Sequence, residues 1–202
     1  MNSKPSNSFT IIGDAMSATL RLYTFLPLSR ANGPGARAVI WLQGCSLACP
    51  GCYNPDTHGI DSGELISTDD LFARLMALSD GIEGITVSGG EPLQQIRPLS
   101  VLLQRVRKET ALSCVFFTGY TWEETQRMPD GAKLLACVDV LIGGRYDQSQ
   151  RLAHGLMGSA NKTVHLLTDR YTMEDLRSVP VAEVIITREG EVVLSGIDPI
   201  RL

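Results

Sequence analysis

Three cysteines, Cys45, Cys49 and Cys52, stand in the run Gly44-Cys45-Ser46-Leu47-Ala48-Cys49-Pro50-Gly51-Cys52-Tyr53-Asn54 with C-x3-C-x2-C spacing. Thiolates this close in sequence can converge on one metal centre, yet they leave it one ligand short. A structural zinc site takes four ligands, and a cubane iron–sulfur cluster takes one cysteine per iron. An array of three leaves a coordination position for water, a distant residue or a substrate, and an open position is where chemistry happens. His58, six residues after Cys52, can supply a fourth ligand and close a structural zinc site. From the cysteines alone, an open iron–sulfur mount and a closed zinc knuckle both stand.

The remaining two cysteines read differently. Cys114 and Cys137 lie among apolar neighbours, Leu112 to Phe116 and Leu135 to Val138, where free thiols are ordinarily buried packing groups. An odd total of five cysteines, three of them clustered, fits a reducing compartment better than a disulfide framework. A cytoplasmic location is therefore expected. The net charge of −4 argues against a general nucleic-acid binder. No stretch reaches the roughly 18–20 apolar residues of a membrane span, so no membrane partner is expected. The first residues, polar and rich in Ser and Asn, lack the apolar core of a signal peptide. Residues 1–17 are expected to form a flexible leader and residues 18–202 a single domain, a size that buries a substantial core.

The elements that must position the cysteines follow from hydrophobic periodicity. Strands are expected over Ala18 to Leu28, Ala38 to Leu42, Gly84 to Val87, Ser113 to Phe117, Val138 to Ile142, Thr163 to Leu167 and Val184 to Thr187, with Val192 to Leu194 as a hairpin return. Between them, Leu71, Leu75 and Leu78 mark a helix capped within Thr68-Asp69-Asp70. Leu99, Leu102, Leu103 and Val106 mark a second, over Pro98 to Lys108. Thr121 caps a helix that opens on Trp122, Glu123 and Glu124, and Met173 to Val179 reads as a short helix. This alternation implies α/β architecture with a mostly parallel sheet. The cysteine loop follows a strand, and three other strands end in Ser88-Gly89-Gly90, Thr118-Gly119 and Gly143-Gly144. Ligands of parallel α/β folds sit at the carboxyl ends of strands, so these turns are expected to share the site face with the cysteines.

The C-x3-C-x2-C spacing resembles the recognition motif of the radical S-adenosylmethionine (SAM) enzymes. Asn32-Gly33-Pro34-Gly35-Ala36-Arg37 ahead of a strand ending in Gln43-Gly44-Cys45 resembles the lead-in of the glycyl-radical activating enzymes. Cys49-Pro50-Gly51-Cys52-Tyr53-Asn54 is similar to the anaerobic ribonucleotide reductase activase branch, and Ser88-Gly89-Gly90-Glu91-Pro92 resembles the turn that binds the SAM amino group. The resemblance runs from about Asn32 to Thr168. It implies a partial (βα)6-type open barrel with short additions at both ends, a single [4Fe-4S] cluster held by Cys45, Cys49 and Cys52, and SAM on the fourth iron. Reductive cleavage of SAM would then give a 5′-deoxyadenosyl radical that abstracts a hydrogen atom, with the cofactors supplying the reactivity and the protein the ligation and orientation. A one-electron donor such as flavodoxin or ferredoxin and a glycyl-radical protein are the implied partners.

The resemblance also assigns roles to single residues. Gly89 and Gly90, without side chains, would let backbone approach the methionine end of SAM, with Ser88 beside them. Glu91 suits an ammonium, and Pro92 the first turn of a helix. Tyr53 and Asn54 would pack over the cluster or adenine, and Thr118 belongs to a second family-like turn. Where the activases place an acidic or polar residue, this chain has Gly143-Gly144. Arg145 follows at once and offers donors matched to the SAM carboxylate. The polar stretch from Arg145 to Lys162, containing His154 and Gly158-Ser159-Ala160-Asn161, is expected to lie over the open face and help select the substrate. Three functions stay open: activation of a glycyl-radical enzyme, a compact radical SAM reaction on a small molecule or peptide, and a zinc-bound interaction module without catalysis.

Overall fold

The computed structural model describes residues 18–187 and 189–197. The leader expected over residues 1–17 lies outside them. The chain runs β1 (Thr19–Ser29), β2 (Arg37–Leu42), β3 (Glu64–Ser67), α1 (Thr68–Met76), β4 (Gly84–Gly89), α2 (Ile96–Glu109), β5 (Ser113–Phe117), α3 (Trp122–Arg127), α4 (Gly131–Leu135), β6 (Val140–Gly143), β7 (Arg151–His154), β8 (Met157–Ser159), β9 (Thr163–Leu166), α5 (Met173–Arg177), β10 (Ala182–Ile186) and β11 (Val192–Gly196). One seven-stranded sheet has the order β3-β1-β2-β4-β5-β6-β9, while β7–β8 and β10–β11 form separate pairs.

The centre of the sheet is parallel and its edges are not. Strands β2, β4, β5 and β6 run parallel, whereas β1 is antiparallel to β2, β3 to β1 and β9 to β6. The α/β class holds, but the parallel part is four strands rather than the six units of the expected barrel. Thr163 to Leu167, whose direction the sequence left open, returns antiparallel because the β7–β8 excursion stands where a helical crossover would bring the chain back for a parallel neighbour. Among the described residues, Val184 to Thr187 lies outside the main sheet, with β10 pairing with its hairpin return.

Alternation along each strand divides the sheet into two faces. Ala38, Ile40, Leu42, Ile85, Val87, Cys114, Phe116 and Leu141 pack into the main core with Leu71, Leu75, Leu99, Leu102 and Leu103 from the helices. The opposite face is concave and stacks in layers. At its floor Arg37 is fully buried, with its guanidinium donating to Thr86 Oγ1 (2.9 Å), Ser113 Oγ (3.0 Å) and the Pro34 and Ile85 carbonyls (2.9 and 2.6 Å). Gly84 makes room for it, since a Cβ there would meet Arg37 Nη2 at 2.6 Å. Above, Val115, Val140 and Ile142 pack against Leu156, Leu176 and Val179 from the later segments. The top layer, Trp41, Ser88 and Phe117, stays open and lines a cavity.

Local signals set the helix ends. Ser67, one residue before the expected cap region, accepts the Asp70 N–H on its hydroxyl, and α1 ends at Met76, short of Leu78. Thr121 caps α3 as expected, with the Glu124 carboxylate reaching back to the Thr121 N–H (2.7 Å). Cys114 and Cys137 are both buried. Among the described residues no helix is long and apolar enough to cross a membrane.

Candidate functional site

The cysteine loop leaves β2 at its carboxyl end and is gripped from two sides. Its return limb is fixed by Gln43, whose buried side-chain amide donates to the carbonyls of Gly59 (2.7 Å) and Asp56 (3.2 Å). Gly44 N–H donates to Thr57 O (2.8 Å) and Cys45 N–H to His58 O (3.2 Å). Within the loop Cys52 N–H closes a turn onto Cys49 O (3.2 Å), and Asn54 N–H points at Cys52 Sγ (3.4 Å). Such an N–H···S contact stabilises a ligating sulfur. Gly51 takes the left-handed φ of +68° that the turn demands. All three cysteines are half-buried and line the same cavity.

The turn after β4 abuts this loop through backbone. Gly90 N–H donates to Leu42 O (2.7 Å) and Glu91 N–H to Gly44 O (2.9 Å). A Cβ on Gly89 would lie 2.3 Å from Leu42 N, and one on Gly90 would lie 2.3 Å from Gly44 O. Chain-to-chain approach therefore already requires both glycines. Glu91, read from sequence as an acid for an ammonium, is buried and braced: it accepts from Leu93 N–H (2.9 Å), Thr118 Oγ–H (2.7 Å) and Gly119 N–H (2.7 Å). It ties the carboxyl end of β4 to that of β5. Burial pushes its carboxyl up, and the three donors oppose that shift.

The Arg145–Lys162 stretch packs on the cysteine loop. It contains a one-turn 3-10 helix at Gln148–Gln150 and the β7–β8 pair. Tyr146 meets the Tyr53 ring edge-on at 5.0 Å, Tyr53 Oη donates to Gly158 O (3.4 Å), and Gln148 packs where a Cβ on Gly51 would be. His154 is exposed and points to no role.

The cavity measures about 470 Å³, within the range of roughly 300–1,000 Å³ usual for small-molecule sites. Its lining brings together most residues singled out from sequence: Cys45, Cys49, Cys52, Tyr53, Asn54, Ser88, Gly89, Gly90, Glu91 and Thr118. Arg145 is the correction. Its guanidinium donates to Glu124 Oε2 (2.6 Å) and Gly119 O (3.1 Å), stands 4.9 Å over the Tyr120 ring, and does not line the cavity. The half-buried Glu124 in the first turn of α3 draws it away. Sequence reasoning reached Lys162 only as the end of the loop stretch and gave it no role of its own; it lines the cavity just ahead of β9. That reasoning missed the C-terminal hairpin, which supplies Val193, Leu194, Ser195 and Gly196 to the wall. Asn32 Nδ2 donates to Ser195 Oγ (2.6 Å) and Arg30 N–H to Glu183 Oε2 (2.8 Å), holding that hairpin against the β1–β2 turn. No local pattern announces a lysine whose partners come from other strands.

Three half-buried thiols line one cavity, and iron–sulfur clusters are held by cysteine thiolates, one per iron. His58 Nε2, in the lining, is buried without a hydrogen-bond partner. Orphaned buried polar atoms in native proteins mark a place for a polar occupant.

Comparison with known proteins agrees with this geometry. Residues 31–165 match the family described as the 4Fe-4S single cluster domain. The anaerobic ribonucleoside-triphosphate reductase-activating protein of Salmonella typhi is 31% identical over 155 residues, spanning 73% of this chain and 99% of that protein. The chain belongs to this family of activating proteins. It is a radical SAM enzyme with one [4Fe-4S] cluster and SAM as cofactors. A putative glycyl-radical enzyme activating enzyme of Haemophilus influenzae is 38% identical over 95 residues, 46% of this chain and 36% of that protein. Among solved structures, QueE from Escherichia coli aligns with a TM-score of 0.41 and 19% identity, covering 51% of this chain and 54% of that one. The C-terminal hairpin lies beyond the residues that the family match covers.

Proposed function

We propose that this chain activates an anaerobic ribonucleoside-triphosphate reductase by removing a hydrogen atom from a glycine of that partner. The observation that carries the reading is near-complete coverage of a reductase-activating relative by a chain whose three cysteines line one cavity. When bound, the cluster and SAM supply reductive sulfonium cleavage and the radical that takes the hydrogen atom. Everything else falls to the protein. Cys45, Cys49 and Cys52 mount the cluster, and Tyr53 and Asn54 cover one side of it. Ser88, Gly89, Gly90 and Thr118 form the floor for SAM, with Glu91 both bracing that floor and facing the SAM ammonium. A carboxylate has about four acceptor sites, and three of those on Glu91 are taken by the protein.

The scaffold is a shortened form of the open partial barrel, four parallel strands with its concave face closed by α5 and the C-terminal hairpin. Ser46, Ala48, Pro50 and Gly51 leave the outer edge of the cysteine loop exposed. That edge is where a one-electron donor, a flavodoxin or ferredoxin, would reach the cluster, while the cavity faces the substrate. Anaerobic incubation of the reduced, cluster-loaded protein with SAM and the reductase should generate the glycyl doublet in the electron paramagnetic resonance spectrum. SAM cleavage without that doublet for any glycyl-radical protein of the host would move the function to a different hydrogen donor.

A further inference from the structure

The cavity contains one carboxylate, Glu91, and one lysine or arginine, Lys162, among its described lining residues. Lys162 is half-buried, and within the described residues its ammonium has one hydrogen bond, to the carbonyl of Gly144. An ammonium has three donors, so two remain for an occupant. Burial works against its charge, while the nearby Cys49, Glu91 and Cys52 support it. These are the groups expected around the cluster and the methionine end of SAM. A half-buried ammonium that lines the cavity with two donors uncommitted suits an anionic group of a bound ligand.

We propose that Lys162 holds the carboxylate of SAM, opposite the ammonium side defined by Glu91. The two side chains then read the zwitterionic end of the cofactor by charge, and Arg145, committed to Glu124, takes no part. This rests on the SAM assignment. Gly144 is part of the device: its φ of +111° is one that L side chains rarely adopt, and it turns its carbonyl onto the lysine. The Gly143-Gly144 turn at the end of β6 thus supplies a backbone acceptor that aims the cation of Lys162, just ahead of the neighbouring strand β9.

The test uses full-length, cluster-loaded protein under anaerobic conditions, with equilibrium dialysis of SAM and of decarboxylated SAM. Lys162→Met should weaken SAM roughly 10- to 100-fold, the range of a lost charge-assisted hydrogen bond, and decarboxylated SAM less than about twofold. Lys162→Arg should keep SAM within about fivefold of wild type, since it retains the charge. Iron and sulfide content is measured on every variant. If the methionine variant loads poorly, Lys162→Gln, a shorter polar side chain that removes the charge, carries the comparison. Equal loss for both ligands, or a change below about threefold for SAM, overturns the proposal. Wild-type protein that loads its cluster and binds neither ligand would instead overturn the SAM assignment beneath it.

Discussion

Replacing Gly90 with alanine adds a single methyl group and separates two reasons for a glycine. The new Cβ would lie 2.3 Å from Gly44 O and 3.0 Å from Thr57 O, both backbone atoms. Neither can swing aside as a side chain would, so the cysteine loop must retreat by roughly 1 Å to reach ordinary contact. That retreat strains the Glu91 N–H to Gly44 O bond of 2.9 Å and the Gly90 N–H to Leu42 O bond of 2.7 Å. Overpacking costs about 1–3 kcal/mol and a lost backbone bond about 1 kcal/mol, giving about 2–4 kcal/mol in all. For a chain of this length that is a fall of about 5–15 °C in melting temperature. The fall should appear in metal-free protein without SAM, by circular dichroism, along with reduced iron incorporation because Cys45 moves with Gly44. If the metal-free variant melts within about 1 °C of wild type and only SAM binding suffers, the glycine serves the ligand, and the chain-packing argument fails.

Changing any of Cys45, Cys49 or Cys52 to alanine should abolish assembly of a complete cluster, read as iron and sulfide per chain; full loading in any of the three would remove that residue from the mount. Arg145→Met should leave SAM affinity within about twofold, because the guanidinium is held on Glu124 and Tyr120 outside the cavity; a tenfold loss would restore it to the site. In metal-free protein at pH 8, brief alkylation read by mass spectrometry should label the three loop cysteines and spare Cys114 and Cys137, which are buried. Burial also pushes the Cys114 thiol from 9.0 up to about 12. The unfolded chain therefore loses that proton first, and the associated stability falls as pH rises from about 9 towards 12. Cys114→Ala should flatten the urea midpoint across that window, and an unchanged slope would contradict the burial.

Much of the scaffold was legible because its signals are local. Short apolar runs located the four parallel strands, and Thr121 with the acidic pair Glu123 and Glu124 located the start of α3. Apolar neighbours marked Cys114 and Cys137 as buried. Errors arose where a distant segment decided the outcome. Val184 to Thr187 read as one more strand of the series, yet it pairs in a separate hairpin with β11. The cap of α1 slipped by one residue because Ser67, at the end of β3, offered a hydroxyl with the right backbone geometry. Arg145 read as a ligand residue because nothing near it in sequence shows that Glu124 will meet it.

The amino-acid sequence by itself determined that one short loop carries three thiols at C-x3-C-x2-C spacing, a metal mount one ligand short. It also determined that the Gly89-Gly90 turn ends a strand, because those torsional and steric demands are local. Only the tertiary structure decided what surrounds that mount. Glu91 meets donors from Leu93 and from the Thr118-Gly119 turn after β5, Lys162 enters just ahead of β9, and the hairpin wall comes from β10 and β11. Each depends on strand order and register, which join residues far apart in sequence through the burial of a shared core. The cysteines therefore announced an open coordination site, and the fold decided which charges face it.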